Sequence, residues 1–126
     1  MDKPMPAGLK TLFLVHFIVA LVFGLLFFVF PSVWGSLAGI PVTSHEMYRM
    51  IGAAMLAFGA SSWLAYGGKG WESVRILVVT EIVWTALGAL VTLYYLIRWA
   101  FPPLYWLTAV VLVAFAMAFA WFYMRK

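Results

Sequence analysis

Four stretches of the chain, residues 9–30, 46–66, 72–99 and 103–124, are almost continuously apolar. Each reaches the roughly 20 residues that an α-helix needs to cross the hydrocarbon core of a bilayer. Of 126 residues, 67% are hydrophobic and 10% charged, and a soluble domain of that length lacks the interior to hide so much apolar surface. Lipid is the expected solvent. The reading is a single all-α domain over residues 1–126, an integral membrane four-helix up-down bundle.

Punctuation between the stretches supports it. Pro31 stops the first, and Gly67 and Gly68 close the second, as glycine does beyond helix ends. Pro103 opens the fourth, where a first turn tolerates proline. "TSHE" places Thr43 and Glu46 at capping-box spacing before the second. "GGKGW" and "AFPP" are short enough to make the second and third, and the third and fourth, antiparallel neighbours. The connection from Pro31 to Ser44 is itself apolar, with Trp34, Leu37 and Ile40, and is expected in the headgroup layer. Lys3 and Lys10, the apolar run and "SLAG" loosely resemble a signal peptide, but the run is too long for a typical h-region. It is read as a spanning helix.

The basic residues are distributed by end rather than in a patch, so nucleic acid is not an expected partner. Lys3, Lys10, Lys69, Arg75, Arg125 and Lys126 fall on one side, Arg49 and Arg98 on the other. The positive-inside rule then puts both termini in the cytoplasm, in a multi-pass protein of a bacterial or archaeal inner membrane. Absence of cysteine removes disulfides, thiolate metal sites and a cysteine nucleophile. No nucleophile-elbow, phosphate-cradling or zinc-type spacing occurs, so neither catalytic nor metal-binding residues are assigned and no cofactor is expected. His16 and His45 lie toward opposite faces of the bilayer, which argues against a haem held between them.

One residue breaks the apolar pattern. In "RILVVTEIVWTAL", Glu81 lies six residues beyond Arg75, about 9 Å into the bilayer at 1.5 Å per residue. His16 lies six residues beyond Lys10, at the same depth, and Ser61 and Ser62 reach within about 3 Å of that level on the second helix. Faces agree as well. Leu77, Glu81, Trp84, Thr85, Gly88, Thr92 and Tyr95 share one side of the third helix, opposite Ile76, Val79, Val83, Ala86, Leu90, Leu93 and Ile97. On the first, His16 goes with Phe13, Ala20, Phe23, Gly24 and Phe27; on the second, Met50, Ala54, Ala57, Ser61 and Ala65 align.

Unpaired polar groups in hydrocarbon are expensive, so Glu81 is expected to face His16 inside the bundle, with Ser61 and Thr85 as further partners. That cluster could hold a proton or a ligand; it could equally lock helix register. Trp63 and Trp84 lie deep enough to pack the core or to stack a flat hydrophobic ligand. Trp34, Trp71, Trp99, Trp106 and Trp121 read as interfacial anchors. "HEMYRM" from His45 to Met50 is an ordinary helix start in which Glu46 and Arg49 can pair.

Pro31, "YRMIGAAMLAFGA" from Tyr48 to Ala60 and Arg75 together resemble the short four-helix bacterial membrane proteins grouped as DoxX-like or of unknown function. That resemblance implies a four-helix inner-membrane bundle without an agreed activity. Three classes of function follow from the sequence. First is a non-catalytic membrane protein, an accessory subunit or a homo-oligomer. Second is a proton-coupled small transporter using Glu81. Third is a binder or enzyme for a lipophilic molecule such as a quinone or isoprenoid.

Overall fold

A computed structural model describes residues 3–99 and 101–125. Asp2 and Lys126, the latter counted above among the basic residues of one end, lie outside them. Five helices follow in order: α1 (Ala7–Val29), α2 (Pro31–Ala38), α3 (His45–Tyr66), α4 (Trp71–Trp99) and α5 (Leu104–Met124). No strand occurs among the described residues, although Pro4 and Gly70 form an isolated bridge.

The four long helices match the apolar stretches to within a residue or two, but the helix count is five. Pro31 ends one helix and starts another. Phe30 turns out of helical geometry at φ −125° and ψ 55°, and proline's fixed φ then suits the first turn of α2. Gly39, in the left-handed region at φ 72°, closes that helix as glycine readily does. α2 is a helix rather than an irregular connection, and Trp34 is 2% exposed, packed against Phe27 and Tyr105.

Three helices, α1, α4 and α5, are long and apolar enough to cross a membrane by length and composition. α3 falls short of that description although it has 22 residues, about 33 Å of helix. Its content explains why. Gly52, Ala53, Ala54, Ala57, Gly59, Ala60, Ser61 and Ser62 supply little apolar surface, and Glu46 and Arg49 sit near its start.

What α3 lacks in bulk it returns as close approach. A Cβ on Gly52 would lie 2.5 Å from the Phe28 backbone nitrogen and 2.9 Å from the Gly24 carbonyl oxygen, and one on Gly59 would meet the Ala20 Cβ at 3.2 Å. Two turns apart on one face, these glycines bring α3 against the backbone of α1, the small-residue packing that membrane helices favour. The buried stripe of α3 is therefore Gly52, Gly59, Ser62 and Ala65, whereas Met50, Ala54 and Ala57 face outward. α1 packs along α3, and α4 along α5, far more extensively than α3 meets α4. The short connection between α3 and α4 makes them neighbours but not a close pair.

One end is held by the N-terminal segment, where the Trp71 amide donates to the Lys3 carbonyl oxygen at 2.8 Å. Leu9, Phe13, Ala65, Trp71, Val74, Val78, Phe115 and Phe119 form a cluster toward this end. Trp71, expected at the interface, is part of that core, while Trp99, Trp106 and Trp121 are about half exposed. At α3's start the cap is Ser44, whose hydroxyl accepts from the Met47 amide at 3.2 Å, in place of Thr43.

The glycine contacts generate a contrast. Gly52→Ala forces backbone apart and should destabilise by about 1–3 kcal/mol, the usual range for overpacking. Gly88→Ala meets only the tip of Leu112 at 3.3 Å and should change stability little. Thermal unfolding in detergent compares the two.

Candidate functional site

The first helix carries its inward face as expected. Leu9, Phe13, His16, Ala20, Gly24 and Phe27 are buried at three- and four-residue intervals. On α4 the buried stripe is Trp71, Val74, Val78, Glu81, Thr85, Ala89 and Leu96. Glu81 and Thr85 belong to it, but the stripe is rotated from the anticipated one. Leu77, Trp84, Gly88 and Thr92 sit at its edge, and Tyr95 faces outward. The expected outward residues Ile76, Val79, Val83, Leu90 and Ile97 are exposed.

Where these stripes meet, His16 Nε2 and Glu81 Oε2 stand 3.1 Å apart, both buried, at salt-bridge distance. α1 and α4 make no close backbone approach, so the side chains alone reach across the bundle. Ser62 completes the arrangement from α3. Its Oγ lies 2.8 Å from His16 Nδ1 and donates to Glu81 Oε1 at 3.2 Å. Imidazole, hydroxyl and carboxyl thus form a closed circuit in which each group touches the other two. Glu81 and Ser62 are 0% exposed and His16 is 4% exposed.

α5 supplies the wall. The edges and faces of Phe115 and Phe119 meet the His16 ring at centroid distances of 4.8 and 5.8 Å and near-perpendicular angles. Such T-shaped contacts suit the ring quadrupole. Leu9, Phe13, Val74 and Val78, all buried almost completely, lie one or two turns from His16 and Glu81 along α1 and α4, toward the end that carries Lys10 and Arg75.

The other anticipated members stand differently. Ser61 is half-buried and donates to its own helix at the Phe58 carbonyl, 2.7 Å, reaching Glu81 Oε1 only at 3.5 Å. Thr85 is fully buried beneath Glu81, but its hydroxyl donates to the Glu81 backbone carbonyl at 2.6 Å, not to the carboxyl group. Trp84 lies flat on Phe58, 5.0 Å between centroids and 9° between planes, so a ring already occupies that face. Trp63 is 51% exposed and packs sideways on Phe17 and Tyr66; it does not line the core.

Ser62 is a partner that the residue pattern of α3 does not single out. Its depth follows from the sequence, but Ala, Gly and Ser crowd α3 so evenly that its inward face has no bulky marker. Neighbouring residues on a helix differ by about 100°, and that is the difference between Ser61 and Ser62. Phe115 and Phe119 share one face of α5, but that helix is apolar nearly all round, so nothing in its sequence marks the face as inward.

At the opposite end, "HEMYRM" contains a different contact from the one expected. Glu46 and Arg49 form no ion pair among the described residues. His45 Nε2 and Ser32 Oγ, both exposed, are instead 3.0 Å apart. They border an open depression with Gly35, Ser36, Gly39, Ile40, Pro41 and Val42. No group of three or more His, Cys, Asp or Glu side chains that could hold a metal ion occurs among the described residues.

No family model, curated protein or solved structure matches this chain.

The circuit distinguishes its two serines. Ser62→Ala removes a hydroxyl shared by two buried groups and should destabilise by about 1–3 kcal/mol, the penalty of leaving buried polar atoms unmatched. Ser61→Ala should cost well under half as much. Unfolding equilibria of both variants in the same detergent provide the measurement.

Proposed function

We propose that the chain is a small, non-catalytic integral membrane protein with four spans and both termini in the cytoplasm. It serves as an accessory subunit of a membrane complex or assembles with itself. His16, Ser62 and Glu81 fix how its helix pairs fit together. The observation that carries this reading is the enclosure of the polar circuit. Its three members contact one another, aromatic rings wall it, and buried apolar groups lie between it and the nearer end.

α3 is taken as the fourth span because it runs beside α1 over a matching length and turns its polar groups inward or toward its ends. Lys3, Lys10, Lys69, Arg75 and Arg125 gather at the end where the N-terminal segment meets the start of α4. That bias supports a cytoplasmic location for that end. A lipophile-binding role has less support, since Trp84 is already stacked and Trp63 points outward.

One observation favours a second reading. A carboxyl group beside an imidazole in the bundle interior is the kind of pair that proton-coupled transporters use, and here Glu81 would be the coupling residue. The two readings separate on one substitution. As a fastener, Glu81→Gln keeps a side chain of the same shape that can still donate and accept, and assembly persists. As a coupling residue, the same change abolishes transport from proteoliposomes while the protein remains folded.

Native mass spectrometry after extraction in mild detergent tests the main reading. The expected spectrum contains the chain with a stoichiometric partner, or as a multiple of itself. Quantitative recovery as a lone monomer would sink that reading, and loss of substrate transport in Glu81→Gln would replace it with the second.

A further inference from the structure

Three gaps join the circuit: His16 Nδ1 to Ser62 Oγ at 2.8 Å, Ser62 Oγ to Glu81 Oε1 at 3.2 Å, and His16 Nε2 to Glu81 Oε2 at 3.1 Å. Each gap needs one hydrogen. The Ser62 hydroxyl brings one and a neutral imidazole brings another. If Glu81 is an ionised carboxylate and His16 is neutral, one gap is left with two acceptors facing each other. Among the described residues Glu81 Oε2 meets no partner in hydrogen-bond geometry, and the basic atom that faces it is His16 Nε2 at 3.1 Å.

We propose that this circuit is a proton-binding site that holds one dissociable proton, shared between His16 and Glu81, and that the cluster is net neutral near and above neutral pH. The proposal rests on reading the site as an enclosed fastener, and it names the ligand of that site. Removing the proton leaves a net charge of −1 in an apolar interior and an empty gap. Adding a second puts two hydrogens into one gap and leaves a net charge of +1. Charge and hydrogen count select the same state, whether the proton sits on the carboxyl oxygen or on the imidazole.

Among the described residues no other ionisable group faces the circuit. α3 contributes Ser61 and Ser62, α4 adds Thr85, and α5 presents Phe115 and Phe119. Lys10 on α1 lies six residues away, over the Tyr66 ring. On α4 the nearest charges are Arg75 and Glu72, exposed and 3.6 Å from each other. Lys69 and Arg125 lie beyond the ends of α3 and α5.

The sign of the pH dependence follows from counting protons. In a solvated, unfolded chain a glutamate and a histidine together hold one dissociable proton between about pH 4.3 and 6.5, and none above about 6.5. The folded circuit keeps one. Unfolding therefore releases a proton above about pH 6.5, and stability falls as pH rises, with the unfolding constant increasing about tenfold per pH unit for one proton. In Glu81→Gln the amide supplies the missing hydrogen permanently, and this slope disappears.

Reversible unfolding of wild type and Glu81→Gln in mixed micelles from pH 7 to 9 tests the proposal. Groups elsewhere cancel in the comparison, so the two profiles should diverge by about tenfold per pH unit; parallel profiles overturn it. Should Glu81→Gln fail to fold, infrared and ¹⁵N resonance spectra of the wild-type protein at pH 8 give the same answer. A carboxylic acid C=O band or an imidazolium at His16 supports the proton, and a carboxylate beside a neutral imidazole overturns it. Neither result depends on oligomeric state or transport, so this proposal and the proposed function fail separately.

Discussion

A carboxyl group cannot sit in an apolar interior without either a proton or a cation beside it and hydrogen bonds to its oxygens. Glu81 has its surroundings arranged around that requirement. His16 comes from α1, Ser62 from α3 and the aromatic wall from α5, so every long helix contributes to one layer. The contact between α1 and α4 is especially informative, because these helices make no close backbone approach. Side-chain reach alone joins them, and it joins the α1–α3 pair to the α4–α5 pair. Between membrane helices, lipid tails offer no hydrophobic reward for association. A directional contact therefore discriminates among rotations that apolar packing leaves nearly equivalent.

The remainder of the interior divides on either side of this layer. Toward the basic end, Leu9, Phe13, Val74, Val78 and Phe119 pack around Trp71. Toward the other end, Phe27 and Trp34 form a second cluster with Tyr48, Leu104 and Tyr105 at its edge. α2 exists to serve that cluster: eight residues are enough to turn the chain and seat Trp34 with its indole nitrogen 3.4 Å from the Tyr105 hydroxyl. This buried indole is partnered as such groups usually are.

The long helices were legible because length and apolarity are properties of a continuous stretch, and proline and glycine mark its limits. The pairing of Glu81 with His16 was legible for a related reason. Equal spacing from Lys10 and Arg75 sets their depths, and bulky residues on α1 define its face. α3 was not legible in the same way. Its closest packing comes from Gly52 and Gly59, residues that register only as an absence of side chain, so the face assigned through Met50, Ala54 and Ala57 is turned away from the observed one. That rotation replaces Ser61 with Ser62. α2 escaped because Pro31 ends a helix as readily as it begins one, and only the tertiary position of Trp34 decides that it does both here.

An enclosed circuit also bears on why an ionisable pair can persist in a helix bundle without implying traffic through it. Around a closed loop of three hydrogens, reversing the direction of every hydrogen bond returns a state of the same total charge. Such a reversal moves no proton out of the cluster. Transport would require one member to turn toward a second set of partners, and the Phe115 and Phe119 rings stand against His16 while Thr85, spent on the backbone, offers Glu81 no alternative hydroxyl. Ser61, at 3.5 Å and bonded to Phe58, is the remaining polar neighbour. It lies on the same helix as Ser62, so a carboxyl group that shifted toward it would exchange one α3 hydroxyl for another and remain between the same helices. The geometry fits the proposed fastener, in which the proton would be a structural component of the folded state.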